Sequence, residues 1–220
     1  MTIHDTSQRR FLFPWAALGI AVFAWGVGTD CLGDDWWWPY VARVEEDWEL
    51  VVDQPDTGNN GPQVTCTISP LRMSTAYAAL DLNYRTQPDY SAGGLQLHSW
   101  DPYNPIVTRE FPPTQMLATE GETITWTQTM TLDQGTLTFR VVNGVSQTWG
   151  NFGSDDQAIT LTTQLTSLNG YDPRLSVENS GVSFASNLVR SLTLRSIRWY
   201  DAAGVLLWEY SDPLAVHPKP

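Results

Sequence analysis

The chain has 220 residues, with 24 acidic against 12 basic side chains and a formal net charge of −12. Such an acidic chain repels phosphate backbones, which argues against nucleic acid as a partner. A chain of this size buries a sizeable core, and once residues 1–28 are set aside the remainder fits one all-β domain.

The first segment has the pattern of an export signal. Arg9 and Arg10 precede an apolar run, residues 11–28, that is just long enough to span a membrane. A cleaved signal peptide and an uncleaved anchor helix both fit this pattern, and Sec and twin-arginine export both stay open. The arginines place the N-terminus in the cytoplasm. Either alternative therefore puts the domain outside it, secreted or held at the outer face of a bacterial cytoplasmic membrane.

Residues 29–40 form a tryptophan-rich linker, in which a run of three tryptophans suits the headgroup layer beside an anchor. The linker holds Cys31, and Cys66 is the other cysteine of the chain. Outside the cytoplasm the two could form a disulfide, which would stabilise the fold by roughly 3–4 kcal/mol. The alternative is that Cys66 is a core residue, because Val64, Cys66 and Ile68 share one strand face.

Beyond the linker, apolar and polar residues alternate with period two between clusters of Gly, Pro, Asn and Asp. This pattern is typical of the short strands of a β-sandwich. The predicted strands span residues 41–53, 63–71, 77–85, 93–100, 106–111, 122–132, 136–142, 157–165, 191–200 and 205–211.

Three local features refine this prediction. Asn143-Gly144 is a dipeptide typical of tight turns, so we expect the chain to reverse there. Within 191–200 the inward parity slips, which predicts a β-bulge near Arg195 and Ser196. Past the N-terminal segment no stretch has a convincing helical pattern. The sandwich domain is therefore predicted over 41–212, with 213–220 as a C-terminal tail.

The stretch "GTLTFRVVNGVSQTWGNFG" joins a long strand to a loop that carries an aromatic residue. The pattern of strands and loops over about residues 40–212 resembles that of the concanavalin-like jelly-roll domains of bacterial secreted proteins. The resemblance implies an all-β fold, a two-sheet antiparallel β-sandwich of jelly-roll type. One N-terminal hydrophobic export or anchor helix would precede it.

Three carboxylates, Glu45, Asp47 and Glu49, alternate along the first predicted strand and so share one face. We call them the acid row. Their spacing is similar to that of the catalytic carboxylates in jelly-roll glycosidases of the laminarinase type, which implies a retaining mechanism with carboxyl groups roughly 5–5.5 Å apart. Glu46 departs from that pattern, which has an apolar core residue there. The alternative is a solvated strand face whose charges oppose aggregation.

Loop aromatics are the candidates for ligand binding, because exposed rings stack on sugars or anchor partner proteins. Trp149, Trp100 and Tyr103 are placed in predicted loops. The remaining strand tryptophans, Trp126, Trp199 and Trp208, are expected in the core.

Two oxygen-rich loops are candidates for a calcium site, which needs several oxygen ligands. The first holds Asp101 and Asn104, and the second holds Asp155 and Asp156. Ordinary solvated turns are the favoured explanation of both loops, and a calcium site is the alternative. The sequence therefore requires no cofactor, and calcium is the one ion that its loops suggest.

These observations favour a non-catalytic binding or structural module outside the cytoplasm that recognises a glycan or an envelope protein. The alternative is a retaining glycoside hydrolase that uses the acid row. A catalytic triad or a zinc site built on histidine is not favoured, since His98 and His217 are the only histidines of the predicted domain and tail.

Overall fold

The structure is a computed structural model. Antiparallel strands make up most of the residues that it describes. Residues 1–28 and most of the linker lie outside the described residues, and no helix among the described ones is long and apolar enough to cross a membrane. The structure describes residues 39–53, 63–71, 77–82, 95–101, 104–111, 117, 119–182 and 189–218, with backbone alone for 95–101 and 104–111.

Two antiparallel sheets contain the described strands. The larger sheet consists of β1 (Arg43–Val52), β6 (Glu122–Asp133), β7 (Thr136–Ser146), β8 (Gly150–Phe152), β9 (Ala158–Thr162), β11 (Val189–Tyr200), β12 (Leu206–Tyr210) and β13 (Leu214–His217). Its order is β12-β11-β1-β6-β7-β8, while β13 also pairs with β11 and β9 with β7. The smaller sheet, ordered β10-β2-β3-β4-β5, consists of β2 (Val64–Ile68), β3 (Tyr77–Leu82), β4 (Leu95–Asp101), β5 (Asn104–Phe111) and β10 (Gly181–Val182).

The alternation in β1 decides where the core lies. Its even-numbered side chains are buried and its odd-numbered ones are half-buried, as the period of a strand requires. Trp48 lies opposite Trp126 of β6, and the two buried rings stack with centroids 6.3 Å apart. Cys66 and Leu80 of the smaller sheet belong to the same apolar cluster. Burial of each large side chain contributes about 1.5–3 kcal/mol, so this interior holds the sandwich together.

The predicted bulge in β11 is confirmed. Asp47 pairs with Ser196 while the next residue, Trp48, pairs with Leu194, so Arg195 is the extra residue of the strand. The extra residue restores the inward parity of β11 beyond it, which is why Leu194 and Ile197 are both buried.

The turn expected at Asn143-Gly144 is wrong. β7 continues through both residues, with Thr127 opposite Val142 and Thr125 opposite Val145, so the dipeptide forms a bulge. Asn143 adopts a φ of 55°, a conformation that asparagine tolerates. A methyl group on Gly144 would collide with the ring of Phe152, which packs directly on this backbone. The chain reverses only after Ser146.

Two further expectations are corrected. No helix was predicted past the N-terminal segment, but a short one, α1 (Pro173–Asn179), follows Asp172. The Asp172 carboxylate accepts a hydrogen bond from the backbone N–H of Arg174 at 3.0 Å. Asp at the N-cap and Pro at the first helical position are the standard start of a helix. Residues 213–220, expected as a tail, include β13, which pairs with β11 and continues the larger sheet.

Candidate functional site

The first carboxylate of the acid row, Glu45, is bound by side chains of β1 and β11. Its Oε2 accepts hydrogen bonds from Arg198 Nε at 3.2 Å and from the Tyr200 hydroxyl at 2.9 Å. Its Oε1 lies 3.3 Å from Arg43 Nε, and the Arg43 guanidinium stacks 4.1 Å from the centroid of the Tyr200 ring. Two guanidinium groups therefore surround this one carboxylate.

Asp47 joins three strands. Its oxygens accept hydrogen bonds from Thr127 of β6 at 2.7 Å and from Ser196 of β11 at 2.6 Å. Arg198 Nη1 also lies 2.8 Å from Asp47 Oδ2. Since Arg198 contacts Glu45 as well, one guanidinium lies between two members of the acid row.

Glu49 is held more loosely, with Arg195 Nη1 3.8 Å away. The acid row is thus an ionic and hydrogen-bonded network that ties β1 to its neighbours. A retaining glycosidase needs one carboxyl group that gives a proton and one that attacks the sugar. Glu45 and Asp47 are already engaged by arginine and hydroxyl groups, so these contacts favour a structural role for the row.

Among the predicted ligand-binding aromatics, Trp149 alone has a side chain in the described part of the structure. Trp149 is half-buried, and its ring meets Phe152 edge-on with centroids 5.5 Å apart. Its backbone N–H donates to Ser146 Oγ at 3.0 Å, so Trp149 lies within the turn after β7. Trp100 lies in β4 and not in a loop, and Tyr103 lies outside the described residues. Ligand contacts at these three positions stay predictions.

The candidate calcium residues lie in two separate connections, the β4–β5 hairpin and the turn between β8 and β9. Asp101 and Asn104 pair across the β4–β5 hairpin, whose side chains are not described. Asp155 and Asp156 are exposed in the turn before β9, and Asp155 forms an ion pair with Arg140 at 3.0 Å. Among the described residues, no three carboxylate, histidine or cysteine side chains are grouped so as to hold a metal ion.

Cys66 is a free thiol, fully buried on the inner face of β2. Burial, with smaller effects from the nearby acids Glu46 and Asp81, raises its pKa well above the ordinary value. The thiol therefore stays protonated and unreactive in the folded protein. Cys31, its predicted disulfide partner, lies outside the described residues.

A cavity of about 550 Å³ opens beside the larger sheet, lined by Trp199, Trp208, Val41, Leu168 and Asn169. We call it the tryptophan pocket. Trp199 of β11 pairs with Trp208 of β12 in the sheet register, so the two indoles lie on the same face. Trp208 is 40% exposed, so its predicted place in the core is wrong. The volume of the tryptophan pocket lies within the roughly 300–1,000 Å³ that small-ligand sites occupy.

Hydrogen bonds of the backbone and of the Asn169 side chain fix the part of the pocket wall formed by Val41, Leu168 and Asn169. The N–H of Leu168 donates to the carbonyl of Val41 at 2.8 Å, and the N–H of Val41 donates to Asn169 Oδ1 at 2.9 Å. Asn169 Nδ2 donates to the carbonyl of Pro39 at 3.3 Å. The Asn169 amide therefore orders the wall, and the apolar faces of the indoles are the main surface that the pocket offers.

Among the described strands, β12 is the last of the larger sheet and pairs on one side with β11. Large apolar side chains are exposed along it and just before it, at Val205, Leu206, Trp208 and Tyr210. Edge strands of soluble proteins usually carry charges that discourage pairing with other chains. An apolar edge beside an open pocket marks this end of the sheet as the part most suited to recognition.

Glu46 is a residue whose position the sequence pattern left unexplained. It lies on the inner face of β1, fully buried, where strand neighbours are apolar. Tyr171 and Ser176 donate hydroxyl hydrogen bonds to its Oε1, each at 2.5 Å, and Trp48 Nε1 donates to its Oε2 at 3.0 Å. Burial outweighs these hydrogen bonds and raises the pKa of Glu46 to about 7.

Tyr171 connects this buried carboxyl group to the tryptophan pocket. Its ring meets Trp199 edge-on with centroids 5.9 Å apart, and its backbone N–H donates to the Leu168 carbonyl at 3.0 Å. Burial, followed by the nearby Glu46 carboxylate, raises the pKa of Tyr171 well above its ordinary value, so the phenol keeps its proton. Tyr171 thus contacts Glu46 and Trp199 through its side chain and Leu168 through its backbone.

No protein-family model and no curated protein matches the chain. Among solved structures, ligand-free congerin I is 10% identical, with a TM-score of 0.31, over 60% of this chain and 96% of its own. The ancestral congerin Con-anc is 10% identical, with a TM-score of 0.31, over 80% and 90% of the two chains. The enzymatically active domain of bacteriophage CBA120 tailspike protein 2 is 12% identical, with a TM-score of 0.33, over 76% and 24%. The likeness is loose at these values, and no family is assigned from it.

Proposed function

We propose that this protein is a non-catalytic binding module that acts outside the cytoplasm and recognises a glycan in the tryptophan pocket. The observation that carries the proposal is the pairing of Trp199 with Trp208 on one face of an open cavity of about 550 Å³. Indole rings offer large, rigid apolar faces, which suit the apolar face of a sugar ring.

The rest of the domain supports a binding role. Trp208 is exposed enough for a ligand to reach it from solvent. The acid row, the one arrangement in the sequence with a catalytic precedent, is occupied by its own arginine and hydroxyl partners. A jelly-roll arrangement of the two sheets forms part of the proposal, since jelly rolls include lectin domains.

The proposed location rests on the sequence. Arg9 and Arg10 followed by the apolar residues 11–28 support export, or an anchor at the outer face of a bacterial cytoplasmic membrane. A formal net charge of −12 also suits a protein that does not bind nucleic acid.

A protein partner is the second candidate. The exposed apolar edge of β12, with Leu206 and Tyr210, favours it. An extended segment of an envelope protein could add a strand to this edge and place an apolar side chain in the pocket. The two candidates differ in which residues they need, because Tyr210 lies on β12 but does not line the pocket.

A glycan array probed with the full-length protein, Trp208→Ala and Tyr210→Ala tests both candidates. The two side chains are almost equally exposed, at 40% and 39%, so the two variants are matched for loss of aromatic surface. Loss of a stacking ring from the pocket weakens glycan binding by about tenfold or more, which corresponds to roughly 1.4 kcal/mol. Tyr210→Ala is expected to bind the same glycans as the unaltered protein.

Two results count against glycan recognition. The first is the absence of binding to every glycan on the array. The second is an equal loss in both variants, which would implicate the edge of β12 and not the pocket. Pull-down of envelope proteins that weakens equally in Trp208→Ala and Tyr210→Ala would then support the protein partner.

A further inference from the structure

Glu46 of β1 binds Tyr171 and Ser176, which lie in the middle of the segment that walls the tryptophan pocket. This segment, residues 168–180, which we call the wall segment, contains Leu168 and Asn169 at one end and α1 at the other. At its far end, the backbone N–H of Thr67 donates to Ser180 Oγ at 2.8 Å. Between its two ends, the wall segment is tied to β1 through the Glu46 carboxyl group.

The surroundings of Glu46 do not balance a negative charge. Its described partners are two hydroxyl groups and an indole N–H, and none is a basic side chain. A buried carboxylate without a basic partner is costly, so burial favours the protonated form of Glu46. Loss of that proton therefore favours any rearrangement that admits water.

A second buried polar side chain faces Glu46 across the β1–β6 pair. Gln128 of β6 stands opposite Glu46 in the strand register and is buried on the same inner face. Its Nε2 donates to the carbonyl of Cys66 at 3.2 Å, which fixes the orientation of the amide. Its Oε1 is buried without a hydrogen-bond partner among the described residues. A protonated Glu46 can donate to Ser176 Oγ, which lies 2.5 Å from its Oε1, whereas an ionised Glu46 has nothing to donate.

The other titratable groups around the cluster do not compete with Glu46 near neutral pH. Tyr171 in front of α1 and Cys66 on β2 both have a pKa raised by burial, so both keep their protons. Asp172, which acts on Tyr171, has a pKa lowered by its hydrogen bond with Arg174 and stays ionised. Asp81 acts on Cys66 from β3, and β11 presents the apolar Ile197 opposite Glu46.

We propose that Glu46 is a pH-sensitive device: the protonation state of its carboxyl group controls how firmly Tyr171 holds Leu168 and Trp199, on the two walls of the tryptophan pocket. With Glu46 protonated, the cluster is neutral and Tyr171 keeps Leu168 and Trp199 in place. When Glu46 ionises, the wall segment opens more often and the pocket loses its shape. The device would make the pocket bind better in a mildly acidic medium, a consequence that rests on the proposed function.

Hydrogen exchange in the full-length protein tests the device without any ligand. If opening of the wall segment hydrates Glu46, a shift from the ordinary pKa of 4.5 to about 7 means that the opening equilibrium rises about tenfold between pH 6 and pH 8. After correction for intrinsic exchange rates, protection of amides in 168–180 should fall by that factor. Their protection should also be lower than that of the β6–β7 hairpin at every pH, because the segment opens without global unfolding.

Three variants sharpen the test. Glu46→Gln, which cannot ionise, should abolish the pH dependence of exchange in the wall segment. Ser176→Ala removes a hydrogen bond that lowers the pKa of Glu46, so the midpoint of the change should move to higher pH. Glu122→Gln is the matched control, because Glu122 is also buried but its pKa lies below the ordinary value, and its variant should keep the pH dependence.

The device is overturned if the wall segment and the β6–β7 hairpin show equal protection at every pH, or if Glu46→Gln keeps the tenfold change. If Glu46→Gln fails to fold, a carbon-13 NMR titration of the glutamate carboxyl groups in the unaltered protein and in Ser176→Ala replaces it. A buried carboxyl signal that titrates near pH 7 and moves upward in Ser176→Ala supports the device, and its absence contradicts it. Since no ligand is present, failure of glycan binding leaves these results unaffected.

Discussion

Replacement of Glu46 by glutamine should change how the stability of the whole domain depends on pH. In the folded protein the pKa of Glu46 is about 7, raised from 4.5 mainly by burial. The folded state therefore holds the proton more tightly than the unfolded chain does. Its contribution to stability is fully present below about pH 4.5, declines as the pH rises, and is lost above about pH 7.

The size of the effect follows from the shift. A difference of about 2.5 pKa units at about 1.36 kcal/mol per unit gives a loss of about 3 kcal/mol in the free energy of unfolding across this window. This is a large share of the 5–15 kcal/mol that typically stabilises a domain. Glu46→Gln keeps the shape of the side chain and removes the titration, so its stability should vary much less over the same range.

Denaturant unfolding of the full-length protein at half-unit steps from pH 5 to pH 8 measures this difference. The unaltered protein should lose stability most steeply between pH 5 and pH 6.5, at about 1.2 kcal/mol per pH unit, and the loss should level off above about pH 7. Subtraction of the Glu46→Gln profile isolates the contribution of this carboxyl group. Glu122→Gln serves as control and should retain the slope. Parallel profiles for the unaltered protein and Glu46→Gln would refute the reasoning, because they would show that Glu46 titrates alike in both states.

Three other measurements bear on the fold. Gly144→Ala should destabilise the domain by about 1–3 kcal/mol in denaturant unfolding, because the new methyl group meets the Phe152 ring, whereas Asn143→Gly, at a φ of 55°, should be neutral or stabilising. Arg198→Leu should lower the melting temperature more at low than at high salt, since it removes the guanidinium shared by two carboxylates of the acid row; an equal loss at all salt concentrations would contradict the ionic role. Cys66 should resist thiol reagents in the folded protein and react in denaturant, as mass spectrometry of its peptide would show; rapid labelling of the native protein would contradict its burial.

Period-two alternation was enough to predict most of the strands and the bulge at Arg195, because both follow from which side chains face the core. The turn at Asn143-Gly144 could not be predicted, because a dipeptide preference is weaker than the register that the β6–β7 pairing imposes over many residues. The helix after Asp172 had its own signal, an N-cap followed by proline, but α1 is only 7 residues long and shows little periodicity.

The candidate site was harder to predict than the fold. The alternation that aligns the acid row on one face of β1 also places Glu46 on the opposite, inner face. A charged residue at a position expected to be apolar was the one sign in the sequence of the buried Glu46 cluster. Its partners lie 125 and 130 residues away, at Tyr171 and Ser176, so no local pattern links them. The pocket depends in the same way on tertiary structure, since Trp208 has the alternation of a core residue yet lies on an exposed edge strand.

The measurement that tests the central claim most directly is an NMR titration of the indole N–H signals with the glycan that binds best on the array. We predict that the signals of Trp199 and Trp208 shift in proportion to occupancy, while Trp126, buried in the core, stays unchanged. Saturable binding that leaves both Trp199 and Trp208 unmoved would contradict the assignment of the tryptophan pocket as the recognition site.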